Sequence, residues 1–178
     1  MTGGELLLLD NDQRIVELLT MFLEEAGYGV RTAASFGEAR AALLERTPDL
    51  MLSDLDLGTE SGRVELPRLA AEGLLPPTLV VSGYLDAQLE EELSLLDGVR
   101  GTLPKPFDLP QLLGRVEALL AELAELRAEQ EAARAAGVEA GAGEAGEDDG
   151  WREVKLWKPE ALRETGSEPA ASDGGELL

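Results

Sequence analysis

Lys105 is the only lysine ahead of Lys155, in a chain that otherwise draws its positive charge from arginine, and it stands in Leu103-Pro104-Lys105-Pro106-Phe107 directly after a short apolar run. An ammonium is a point charge that meets a carboxylate or phosphoryl oxygen, whereas guanidinium favours flat, forked pairing. Two other apolar runs end in acid: Leu6–Leu9 in Asp10, and Leu50–Leu52, after Ser53, in Asp54. A fourth, Thr78–Val81, ends in the hydroxyl of Ser82. If these runs are parallel strands of one sheet, the four groups converge at its carboxyl edge, where open α/β sheets place their ligands. Asp12 and Asp56 add further acid to the same two loops. Carboxylates crowded in this way repel one another unless a cation neutralises them. Magnesium, or manganese, suits such a site, since a hard ion accepts one or two carboxylates, a carbonyl and retained waters. Asp54 could then attack phosphorus and form an aspartyl phosphate. The metal, Lys105 and Ser82 would position and neutralise the transferred group.

The elements that must hold these groups follow from the apolar pattern. Stretches of four or five apolar residues alternate with longer amphipathic ones, the signature of βα units feeding a parallel sheet, and five units can be counted. Strand one is placed near Glu5–Leu9, and its helix near 12–26 sets Ile15, Leu18, Leu19, Phe22 and Leu23 on one stripe before Gly27 stops it. Strand two is 28–33, after which Ser35 and Glu38 form a capping box opening a second helix. Strand three is 50–53, followed by a helix over 63–71, strand four at 78–81, a helix over 86–96 and strand five at 101–104. A last helix begins near Asp108, with Pro110 in its first turn.

Composition narrows the chemistry. The 178 residues, 44% hydrophobic and 29% charged, are enough for one ordinary core plus an appendage. The net charge of −21 divides almost evenly about Phe107, so neither half is basic and nucleic acid is disfavoured as a partner. With no cysteine and no histidine, disulfides, thiolate metal sites and imidazole chemistry are all excluded. Neither a secretory leader nor a membrane-spanning run is legible, so the expectation is a cytoplasmic protein with no membrane partner.

Taken together, Leu6-Leu7-Leu8-Leu9-Asp10-Asn11-Asp12, Pro48-Asp49-Leu50-Met51-Leu52-Ser53-Asp54, Val80-Val81-Ser82-Gly83 and Lys105-Pro106-Phe107 resemble the receiver domain of two-component response regulators, over residues 5 to about 122. The resemblance implies a flavodoxin-like, doubly wound sheet of five parallel strands in the order 2-1-3-4-5. It also implies phosphorylation by a sensor histidine kinase or a histidine phosphotransfer protein. Asp54 would be the acceptor, Asp10 the direct metal ligand and the Asp56 carbonyl a further one. Ser82 and Lys105 would be the switch hydroxyl and the phosphate-binding lysine. Three positions depart from the family pattern. Asn11 stands where a second acid is usual, able to hold a metal-bound water but without charge. Thr102 occupies the place of an aromatic whose rotation reports phosphorylation, and Gly58 that of a proline. Tyr84, two beyond the hydroxyl, sits where the family tunes loss of phosphate.

Residues 1–122 are thus expected to form the domain, with 123–136 a helical extension. Leu112, Val116, Leu119, Leu123 and Leu126 recur at spacings of four and three, which fits either a short coiled coil joining two copies or one helix packed on its own sheet. Residues 137–150 read as an acidic Gly/Ala linker and the chain beyond 166 as disordered. Between them, Trp151, Val154 and Trp157 could share one helical face that docks on an unknown downstream protein or on the chain's own domain, or belong to a disordered tail with incidental aromatics. Two other functions compete with phosphoryl signalling. One is a receiver whose Asn11 and Thr102 have cost it phosphorylation, kept as a binding or dimerising module. The other, remote, is a haloacid-dehalogenase-type phosphatase, because Asp54-Leu55-Asp56-Leu57-Gly58-Thr59 echoes that superfamily's opening motif.

Overall fold

Short apolar runs ending in Asp or Ser form the three central strands, and the more mixed stretches Gly29–Ala33 and Val99–Pro104 the two outer ones, in the computed structural model, which describes residues 3–140. The elements alternate strictly: β1 (Glu5–Leu9), α1 (Gln13–Glu25), β2 (Gly29–Ala33), α2 (Phe36–Glu45), β3 (Leu50–Asp54), α3 (Gly62–Ala71), β4 (Thr78–Ser82), α4 (Ala87–Ser94), β5 (Val99–Pro104) and α5 (Leu109–Ala140). All neighbouring strands are parallel and their order is β2-β1-β3-β4-β5, the flavodoxin-like arrangement.

Alternation within each strand sends its side chains to two separate cores. Leu7, Leu9, Met51 and Val80 meet Phe36, Leu43, Leu66, Leu69, Leu89 and Leu93 from α2, α3 and α4. Leu6, Leu8, Leu50, Leu52, Leu79 and Val81 meet Leu19 and Leu23 from α1 and Leu112, Val116, Leu119 and Leu123 from α5. A parallel sheet covered on both faces needs apolar residues at every central position, which is why these strands carry unbroken Leu and Val.

Helix ends are set by local chemistry. Asp12 caps α1 by accepting from the Arg14 amide, and Gly27, at a φ of 96° that favours glycine, closes it. Ser35 accepts from the Glu38 amide at 3.1 Å, while the Glu38 carboxylate accepts from Ala34 at 2.9 Å, so the predicted capping box forms with its return bond one residue earlier. At the other end of α2, Arg31 donates to the carbonyl of Arg46, just past the helix, and to that of Ala42, which also accepts from the Arg46 amide.

Two expectations need correction, and one open choice is decided. Leu18, placed on the inward stripe of α1, is 47% exposed, because the stripe is narrower than the spacing suggested, while Leu19 and Leu23 of the same stripe are buried. The α5 seam serves the domain's own core: Leu112, Val116, Leu119 and Leu123 are all buried against the sheet, leaving only Leu126 of the five exposed. Of the two readings of this seam, packing on the domain's own sheet is the one these four residues follow. Finally, α5 continues to Ala140 through Gly137, where the linker was expected to begin, since the alanines and glutamates around it favour helix strongly enough to carry one glycine. Residues 141–150 of that linker and the Trp151–Trp157 segment lie outside the described residues.

Where α5 leaves the sheet, Arg127 reaches Asp49 at 2.9 Å, and Asp49 also accepts from the Glu5 amide at 2.9 Å. The Glu5 bond holds the Asp49 carboxyl below its ordinary value of 3.8, with partial burial opposing and Arg127 and Arg46 adding to the effect. A carboxyl depressed by folding contributes stability above its unfolded pKa and loses that contribution as pH falls through the lower folded value. Urea midpoints measured from neutral pH downward should therefore fall more steeply below about pH 4 in the wild type than in Asp49→Asn. Parallel curves would mean that Asp49 contributes nothing.

Candidate functional site

Register determines what meets at the carboxyl edge. Leu9 of β1 is level with Ser53 of β3, so Asp10 and Asp54, one residue on, stand side by side at the point where the strand order reverses. Asp54 is level with Val81, and Ser82 with Pro104, which puts Lys105 just past the end of β5. Two strand spacings of about 4.8 Å separate β5 from β3. Only a long side chain bridges that gap.

The Lys105 ammonium does so, donating to Asp54 Oδ2 at 2.7 Å and to Asp10 Oδ2 at 3.0 Å. Its backbone amide donates to the Ser82 carbonyl at 2.8 Å, fixing the base of the side chain, and the peptide bond that follows, Lys105-Pro106, is cis. Asp10 is only 4% exposed. A carboxylate so buried needs both its oxygens occupied. Each acid meets that need in the same way: one oxygen goes to Lys105 and the other to the amide two residues ahead, Asp12 for Asp10 at 2.8 Å and Asp56 for Asp54 at 3.1 Å. Asp56 repeats the device on Gly58, whose φ of 78° turns the loop. Burial disfavours the ammonium, but hydrogen bonds and attraction from Asp54 and Asp10 outweigh it and raise the Lys105 pKa above the ordinary lysine value.

The remaining residues fall into place around this centre. Ser82, also buried, has its hydroxyl between the Tyr84 amide, which donates to it at 3.2 Å, and the Tyr84 carbonyl, which accepts at 3.3 Å. Asp56, Ser82, Tyr84 and Arg63 line a cavity of about 300 Å³, although the Tyr84 side chain lies mostly in solvent. Asn11 is exposed and its amide nitrogen faces Gly58, which brings it against the loop that follows Asp54. Thr102 lies away from the acids and donates to Glu90 of α4 at 3.1 Å. Asp12, the extra acid beside the site, is a helix cap.

Two carboxylates and one ammonium leave a net charge of −1 before the Asp12 and Asp56 charges at the rim are counted. A site with that excess suits a divalent cation and would repel a phosphoryl group arriving alone. Among the described residues no three His, Cys, Asp or Glu side chains gather as a cage. The donors present are instead the looser kind magnesium takes: two carboxylates with unused lone pairs, an adjacent amide side chain and backbone carbonyls. Sequence reasoning missed Glu60, whose carboxylate accepts from the Phe36 amide at 2.8 Å across 24 residues. No local pattern announces a cap that comes from another loop.

Comparison with known proteins agrees with the fold and the motifs. A family profile described as response regulator receiver domain matches residues 6–117. The DNA-binding dual master transcriptional regulator RpaA of Synechocystis is 32% identical over 116 residues, covering 65% of this chain and 48% of the relative. Transcriptional regulatory protein GltR of Pseudomonas aeruginosa is 32% identical over 120 residues, covering 66% and 49%. The chain therefore spans about half the length of these curated relatives. Among solved structures, a CheY-like receiver domain from Methanospirillum hungatei aligns with a TM-score of 0.62 at 26% identity, over 68% of this chain and 96% of that one. The receiver domain of a LuxO repressor protein from Vibrio parahaemolyticus aligns with a TM-score of 0.64, at 18% identity, over 70% and 95%, a likeness of fold. The phosphatase reading falls away, since Asp54-Leu55-Asp56 closes the third strand and the opening motif it echoes belongs after a first one.

Replacing Ser82 by Ala would leave the Tyr84 amide without its partner. Faster hydrogen exchange at Tyr84 and a loss of about 1 kcal/mol from urea unfolding are expected, and unchanged exchange would show that solvent already satisfies this amide. The matched profile, the strand order and the four ordered motifs at the strand ends together establish that the chain belongs to the response regulator receiver domain family.

Proposed function

We propose that this receiver domain accepts a phosphoryl group on Asp54 from a sensor histidine kinase or a histidine phosphotransfer protein. The observation that carries the reading is the junction of Asp10, Asp54 and Lys105 within 3.0 Å contacts at one sheet edge. Asp54 is taken as the nucleophile because it ends the central strand β3 and its side chain is the more accessible of the two, 12% exposed against 5% for Asp10. Lys105, positioned by the β4–β5 pairing, transfers one of its hydrogen bonds from the Asp54 carboxylate to an oxygen of the incoming phosphoryl group. Ser82 offers its hydroxyl to another, giving up the Tyr84 carbonyl. Asp10, Asp54, the Asp56 carbonyl and Asn11 would hold magnesium, which supplies charge neutralisation for the transferred group.

The output that fits this chain best is contact with another protein. Residues 108–178 contain 7 basic and 17 acidic residues, a balance that opposes contact with nucleic acid phosphates. Among the described residues no helix is long and apolar enough to cross a membrane.

Incubation with acetyl phosphate and magnesium should add one phosphoryl group to the wild type, at Asp54, and none to Asp54→Asn, as read by intact-protein mass and peptide mapping. A wild type that stays unmodified while a family control is labelled would favour a non-phosphorylated binding module. Asn11→Asp restores a charge beside Asp10, so magnesium should bind severalfold more tightly in a calorimetric titration. Equal affinity would place residue 11 outside the ion's reach.

A further inference from the structure

The loop that follows Asp54 turns through Gly58 at a φ of 78° and is closed from within by the Gly58 amide donating to the Asp56 carboxylate at 3.0 Å, the Leu57 amide donating to the Glu60 carbonyl at 3.1 Å, the Gly62 amide donating to the Leu55 carbonyl at 2.7 Å and the bridge between Asp56 and Ser61. Leu55 and Leu57 bury the inner edge of the loop. Its outer edge is tied to a different element altogether. The Glu60 carboxylate accepts from the backbone amide of Phe36, the first residue of α2.

That amide is one of the donors a helix cannot satisfy from within. Glu38 serves the Ala34 amide and Ser35 the Glu38 amide locally, whereas the Phe36 amide is served by Glu60 from across the fold. Its negative charge also sits at the positive end of the α2 dipole. Arg40 and Arg68, which line the same cleft, are engaged by Glu72 and Glu65, and Glu60 forms no ion pair among the described residues. The α2 terminus therefore has no arginine competing for its acceptor. Phe36 itself is buried in the core, so the anchor point is rigid.

We infer that Glu60 is a positioning residue for the phosphoryl-transfer site, clamping the loop that carries Asp56 to the start of α2. This rests on the proposed function of Asp54. The clamp acts on the backbone: it holds the turn from Leu57 to Glu60, and with it the Asp56 amide that orients the Asp54 carboxylate. Glutamine keeps an acceptor at the right length without the charge, while alanine removes the bond.

The test compares wild type, Glu60→Gln and Glu60→Ala as full chains. Amide hydrogen exchange is measured without metal, and the rate of Asp54 phosphorylation by acetyl phosphate is measured with magnesium. Glu60→Ala is expected to speed exchange at Phe36, Leu57 and Gly58 and to slow phosphorylation by about tenfold, the size of effect that loss of a supporting residue has at comparable sites. Glu60→Gln is expected to restore most of both. Unchanged exchange and rate in Glu60→Ala overturn the inference, as does a Glu60→Gln variant as impaired as Glu60→Ala. If the wild type takes no phosphoryl group, the proposed function fails, and the metal-free exchange at Leu57 and Gly58 still decides whether the clamp exists.

Discussion

One ammonium held between a buried carboxylate and a half-buried one is the constraint around which this molecule is arranged. Asp10 and Asp54 are brought side by side by the β1–β3 register, and like charges at that range are tolerable only with a cation between them. The cation must come from outside both strands. Lys105 supplies it from β5, which requires that β4 lie between, that the β4–β5 register end at Ser82 and Pro104, and that the side chain be long. Strand order, strand length and residue type at three positions are thus coupled through one electrostatic requirement.

The same arrangement explains why the site is poised rather than closed. Both acids use a loop amide for one oxygen, so their orientation survives if Lys105 moves its bonds elsewhere. Under the proposed function, the residual negative charge would favour a divalent ion and leave the lysine available to an arriving anion. Ser82 is in a comparable position, its hydroxyl occupied by a single adjacent turn that a better acceptor could displace.

Much of this was legible in the sequence because it depends on strand ends. An apolar run that stops at an acid, a hydroxyl or a lysine says where the side chain will be, once the runs are known to be parallel. The capping signal at Ser35 and the stop signal at Gly27 were equally local. What could not be read depends on which partner a pattern meets. The spacing of Leu112, Val116, Leu119 and Leu123 is the same for a helix packing on a sheet and for one packing on its twin, and the choice is made by the apolar face of the sheet. Leu18 sits one position outside a stripe whose width only the packing sets. Glu60 and Phe36 meet because the β3–α3 loop passes the start of α2, a fact of topology with no local signal.

The central claim concerns the state of a single amine. NMR titration of the Lys105 side chain, assigned by its disappearance in Lys105→Arg, measures it directly in the metal-free protein. Pairing with Asp10 and Asp54 predicts a pKa above the ordinary 10.5 and a return toward that value in Asp54→Asn. A pKa at or below 10.5 in the wild type would mean a solvated or merely buried lysine, and the junction on which this account stands would not exist.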